Sequence, residues 1–147
     1  MDTSTLITLA RSGWLALLEK AGVQAVVLDV VRDEAVSAGL AGGHADAAAI
    51  ETVIAGLPVT ETTGPENVDT VVADWARRVG VLVSNDLALG RRVRNLGAAW
   101  VRSADLAVLA HHRQTLSRRA ARAAIESMRH AGRITGELAD QYLEELR

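Results

Sequence analysis

The chain has 147 residues, no cysteine, 49 % apolar residues and a formal net charge of −2. These totals predict one globular domain with a core of its own and exclude disulfides and thiolate metal sites. No apolar run approaches the roughly 18 residues needed to cross a bilayer, and no basic-then-apolar leader follows Met1, so the expected setting is the cytoplasm, away from membranes.

Residues 6–18 carry Leu6, Leu9, Ala10, Leu17 and Leu18 at helical spacing, and Gly22 should end that helix. Ala25-Val26-Val27-Leu28 is a continuous apolar run of the kind that forms a buried parallel strand. A helix is expected from Asp29 to Ala38, a loop over Gly39 to Gly43, and a second, alanine-rich helix from Ala45 to Ala55. Leu57 to Thr60 reads as a weak strand. Asn67 or Glu66 can cap the next helix, in which Val68, Val71, Val72, Trp75, Ala76 and Val79 follow the helical period. Gly80 stops it, and Val81-Leu82-Val83 is the next strand. Ser84 or Asn85 should cap a helix over Leu87–Leu96, stopped by Gly97. Ala98 to Val101 is the last strand.

Three helical stretches follow, over Ala104–Arg113, Leu116–His130 and Thr135–Leu146. Leu138, Tyr142 and Leu146 form an apolar stripe on the last, which suits a core face or a dimer contact. Strands alternating with helices argue for an α/β fold, a parallel sheet flanked by helices on both faces. The expected division is a core over residues 1–103 and a helical C-terminal extension of the same domain over 104–147.

The net charge hides an asymmetry. Residues 1–76 hold 3 basic and 11 acidic side chains, residues 77–122 hold 10 arginines against two acids, and residues 123–147 hold 3 against 5. Arginine suits phosphate because its planar fork binds two oxygens at once, so the middle block reads as a phosphate track or as solvated helix faces. Asp2, Glu34, Asp69 and Asp86 each stand where an apolar segment hands over to a helix or in a helix's first turns. A carboxylate there is also favoured as a cap or by the helix dipole. In an open parallel sheet such handovers line one edge, so these four acids are expected to meet in one cleft. A cluster of that kind calls for a divalent cation. His111-His112 and the His44-Ala45-Asp46 stretch are weaker ligand candidates, and Trp14, Trp75 and Trp100 read as core more than as base-stacking platforms.

Asp2-Thr3-Ser4 before an apolar helix resembles the opening of a PIN domain. Val31 with Glu34 resembles that family's second acidic motif. Asp69, eleven residues before Gly80, resembles the third acid, and Val83-Ser84-Asn85-Asp86 the motif carrying the fourth. The helix from Leu89 through Gly97 is similar to the family's next helix, and the likeness covers residues 2–103. The resemblance implies a metal-dependent endoribonuclease, the toxin of a type II toxin–antitoxin pair, with RNA as substrate and a small antitoxin protein and a second copy as partners. It implies that Asp2, Glu34, Asp69 and Asp86 hold Mg²⁺ or Mn²⁺ and that Ser4 and Ser84 orient the carboxylates or the attacking water. Arg91, Arg92 and Arg94, beside the fourth acid, would guide the RNA backbone. Two departures stand out. Only Met1 precedes the Asp-Thr-Ser motif, where the family has its first strand, and Asp29 stands where proline is usual. The first departure keeps open a catalytically silent PIN-like domain that acts as a binding or regulatory protein. A phosphatase-like or flap-nuclease-like enzyme is a third reading, for which the chain lacks DNA-threading elements.

Overall fold

A computed structural model describes residues 1–63 and 67–147. The protein is a mixed α/β structure, mostly helical, with two parallel sheets of two strands each. It divides into two compact units. The first comprises residues 1–7 and 25–102, and the second residues 8–24 and 103–147. Among the described residues no helix is long and apolar enough to cross a membrane.

Helix α1 (Thr3–Ser12) begins in the first unit and ends in the second. The helix expected over 6–18 is broken at Gly13, which takes a left-handed φ of 76°. A separate turn, α2 (Leu17–Lys20), follows. The positive φ opens a turn that an L side chain resists, and Leu17 beyond it is fully buried.

In the first unit β1 (Val27–Leu28) pairs with β2 (Val59–Thr60), Val27 opposite Val59. Strand β3 (Val81–Val83) pairs with β4 (Ala99–Val101), Leu82 opposite Trp100. The chain start reaches both pairs. The Met1 amine donates to Val26 O at 3.3 Å, and the Asp2 N–H donates to Val83 O at 3.2 Å. Val27 N–H is turned the other way, to Pro58 O at 3.1 Å. Successive residues of a strand alternate the side on which they bond, so Val26 and Val83 present their carbonyls to the stretch between the pairs. One continuous sheet was expected; the described strands form two separate parallel pairs, and residues 1 and 2 each donate one hydrogen bond, to Val26 beside β1 and to Val83 in β3.

Helix α3 (Asp29–Arg32) leads into a π-helical segment (Asp33–Ala38) and then α4 (Gly39–Ala41). The loop expected over 39–43 is therefore partly helical. A Cβ at Gly39 would lie 2.9 Å from the Ala47 Cβ, so the missing side chain lets α5 (Asp46–Ile54) close on α4. Helix α6 (Val68–Val79) is capped by Asn67, whose Oδ1 accepts the Thr70 N–H at 2.9 Å. The alternative cap, Glu66, lies outside the described residues. Val71, Val72, Ala73 and Ala76 are buried along α6, but Val79 is 57 % exposed because it sits in the last turn before Gly80, at φ 93°. Helix α7 (Leu87–Asn95) packs on β4 and on α6.

The second unit is helical. Helices α8 (Ser103–His112), α9 (Arg118–His130) and α10 (Gly136–Glu145) pack in sequence, and α2 packs on α8. Leu106, Ile125, Met128 and Leu146 are almost fully buried there, with Leu17. Of the apolar stripe expected on the last helix, Tyr142 and Leu146 are buried and Leu138 is half-buried, and the Tyr142 hydroxyl donates to Asp105 at 2.7 Å. Arginines serve this unit structurally. Arg113 donates to Gly22 O at 2.7 Å and Arg122 to Leu143 O at 2.6 Å. His111 and His112 lie along the last turn of α8, with His111 Nδ1 3.2 Å from Leu116 O and His112 Nε2 3.9 Å from Glu145.

Candidate metal centre

The site lies wholly within the first unit. Asp2 is 5 % exposed and ends the short stretch held between the strand pairs. Its Oδ1 accepts the Thr5 N–H at 3.1 Å, so the carboxylate caps α1. The Thr5 hydroxyl is 2.8 Å from the same oxygen and 3.0 Å from Val83 O, and shares its proton between them. Oδ2 accepts from the Ser4 hydroxyl at 2.8 Å and from the Ser84 hydroxyl at 2.5 Å. Bonds to an ionised acceptor contribute about 1.5–3 kcal/mol each, so this buried charge is well compensated.

Both serines pass the order on. Ser4 Oγ accepts the Asn85 N–H at 3.1 Å, and Ser84 Oγ accepts the Asp86 N–H at 3.0 Å. The Ser84 carbonyl in turn accepts from the Trp100 indole at 2.8 Å. Asp86 itself, not Ser84 or Asn85, caps α7, with Oδ1 accepting the Leu89 N–H at 2.8 Å. Ser84 is taken up by Asp2 and by the Asp86 backbone, which leaves the capping position two residues further on.

Glu34 is exposed on the π-helical segment, where Oε2 accepts the Thr3 hydroxyl proton. Asp69 is exposed in the first turn of α6. A helix N-terminus favours a negative charge, yet the Asp69 carboxyl is held above its ordinary range. Partial burial is the largest cause, followed by the negative charges of Asp86, Glu34 and Asp2, against which Arg92 acts weakly. Three of the four acids singled out in the sequence thus act on the carboxyl of the fourth, although they come from four separate parts of the chain.

Convergence stops short of a ready-made cage. Among the described residues no group of three or more His, Asp or Glu side chains forms a metal-binding set. Like charges repel, and each of three acids has turned at least one oxygen to a chain donor: Asp2 to the serines and Thr5, Glu34 to Thr3, Asp86 to Leu89. The donor set is all oxygen, carboxylate and hydroxyl, which suits a hard divalent cation. Of the partners, Thr3 was read from the sequence only as part of the Asp-Thr-Ser motif, and Thr5 not at all. A threonine at a helix start reads as a cap, and nothing local tells that its hydroxyl reaches an acid on another element.

The arginines divide by use. Arg77 and Arg78 pair with Asp74 at 3.2 and 2.5 Å, and the Arg102 guanidinium lies 4.5 Å from the Trp100 ring. Arg91, Arg92 and Arg94 are exposed on α7, and Arg92 donates to the Thr70 hydroxyl at 3.3 Å, one residue from Asp69. The tryptophans expected in the core are only half-buried. No protein-family model, no curated protein and no solved structure matches this chain.

Proposed function

We propose that this protein is a divalent-metal-dependent endoribonuclease of PIN type, the toxin of a type II toxin–antitoxin pair acting in the cytoplasm. The observation that carries the reading is the raised Asp69 carboxyl, on which Asp86, Glu34 and Asp2 all act. Holding four like charges within reach of one another is unfavourable, and a protein that does so has a use for a cation. The finer fold assignment belongs to the same proposal. The two strand pairs would be halves of one parallel sheet flanked by helices, a reading supported by the bonds from Met1 to Val26 and from Asp2 to Val83.

Glu34, Asp69 and Asp86 offer exposed carboxylate oxygens for Mg²⁺ or Mn²⁺, with the buried charge of Asp2 behind them. Such an ion, when bound, supplies a water of lowered pKa and neutralises charge on the phosphoryl oxygens. The chain does the rest. The serines hold the 84–86 loop, and α7 carries Arg91, Arg92 and Arg94 outward from Asp86 for the RNA phosphates. A small antitoxin that covers the cleft, and a second copy of the chain, complete the proposed assembly.

The test is cleavage of a single-stranded or looped RNA in Mg²⁺ or Mn²⁺. Cleavage is expected to stop with EDTA and to fall at least 100-fold in Asp69→Asn and in Asp86→Asn, since each loses both a ligand and charge balance. Undiminished cleavage by the double variant would make the acids structural. A wild type that binds RNA and metal without cutting would favour the silent binding protein.

A further inference from the structure

We propose that Asp2 is the positioning residue of the loop that carries Asp86, acting through Ser4 and Ser84, and is not a direct metal ligand. A carboxylate has about four lone-pair positions, two on each oxygen. At Asp2 the Thr5 N–H and hydroxyl lie at Oδ1, and the Ser4 and Ser84 hydroxyls at Oδ2. Four chain donors therefore fill what a cation would need, on a side chain that is 5 % exposed.

The same hydroxyls make the connection to Asp86. Ser84 Oγ, once its proton is given to Asp2, presents its lone pairs to the Asp86 N–H, and Ser4 Oγ does the same for Asn85. Two parallel relays thus run from one buried carboxylate to two successive amides of the loop. A cation taking Oδ2 would release the serine protons and with them the orientation of both amides. Glu34 and Asp86 each give one oxygen to a single chain donor, and both are exposed, as Asp69 is, so a cation there competes with fewer donors than at Asp2. Asp2 still acts on the cluster through its field, as it does on Asp69.

The consequence for metal affinity rests on the proposed function; the positioning role does not, and the experiment separates them. Asp2→Asn, Asp69→Asn, Ser4→Ala and Ser84→Ala are melted in EDTA, titrated calorimetrically with Mn²⁺, and compared by amide NMR in the metal-free state. A ligand in a repelling cluster is relieved by neutralisation, so Asp69→Asn should melt higher than wild type in EDTA. Asp2→Asn should melt lower, by roughly 5 °C, because it breaks the relays. Asp2→Asn and Ser84→Ala should both shift the Asn85 and Asp86 amide resonances and weaken Mn²⁺ by about 10- to 100-fold, the usual effect of losing a group that orients a ligand. An Asp2→Asn that melts higher in EDTA, with those amides unmoved, overturns the proposal. Should Asp2→Asn fail to fold, the two serine variants decide: they remove no charge, and wild-type Mn²⁺ affinity with unshifted amides in both would equally overturn it. If wild type binds no Mn²⁺, the metal reading falls, while the melting signs and amide shifts still decide whether Asp2 positions the loop.

Discussion

Asp69 shows how burial and neighbours can outweigh a favourable helix position. Its place in the first turn of α6 should favour the ionised form, yet partial burial and three acids raise its pKa above the ordinary 3.8. The sign for stability follows from linkage. A folded-state pKa raised above the unfolded value means that the protonated form favours the native state. That contribution is present in full below pH 3.8 and is lost as pH rises through the higher folded value. Above that window the charge is a standing penalty unless a cation offsets it. Replacing Asp86 by Asn removes the charge that acts most strongly on Asp69. We expect the Asp69 carboxyl, followed by ¹³C NMR in EDTA, to titrate lower in Asp86→Asn than in wild type. An unchanged titration would mean that the two carboxyls do not face each other.

Among the elements, α7 depends on a single missing side chain. A Cβ at Gly90 would fall 2.1 Å from Trp100 Cε2 and 2.3 Å from its Cδ2, inside the indole ring. Gly90 is therefore what lets α7 lie against β4, and Trp100 in turn holds the Ser84 carbonyl. Gly90→Ala gains helix propensity of about 1 kcal/mol, but forcing the indole aside costs about 1–3 kcal/mol and disturbs the Ser84 loop. We expect a lower melting temperature for Gly90→Ala and weaker Mn²⁺ binding by the folded variant. Gly97→Ala is the contrast: its positive φ of 86° strains a side chain, but no neighbour lies within 4 Å, so Mn²⁺ binding should survive there. The π-helical segment is a second departure from plain helix. Its wider turn carries Glu34 to the Thr3 hydroxyl, and such turns occur often at functional sites.

At the scale of the whole molecule, the proposed RNA binding depends on how the arginines are distributed more than on their total. Arg113 and Arg122 hold carbonyls in the helical unit, Arg77 and Arg78 pair with Asp74, and Arg102 sits over Trp100. Arg91, Arg92 and Arg94 are the exposed set on the helix that Asp86 begins. Replacing these three by alanine should weaken RNA binding and flatten its dependence on salt by roughly one counterion per lost phosphate contact. Mn²⁺ affinity should stay near that of wild type. An unchanged salt slope would mean that the phosphate track lies on other residues.

Local chemistry was enough to read most helices and the strands of both parallel pairs. Periodicity, capping residues such as Asn67 and stop glycines such as Gly80 act within a few residues of themselves, and their effects survive into the fold. Tertiary structure decided the rest. Residues 8–24 join the C-terminal helices and not the segment that follows them: α2 packs on α8, and Leu9 and Leu17 are fully buried. Asp2 became a saturated, buried carboxylate through Ser84, 82 positions away. Asp86 became a cap because Ser84 was already engaged. That the acids should influence one another was expected from the sequence; that the influence falls on Asp69 was not. It arises from distances between separate elements, and charge interactions follow distance in space, not separation along the chain.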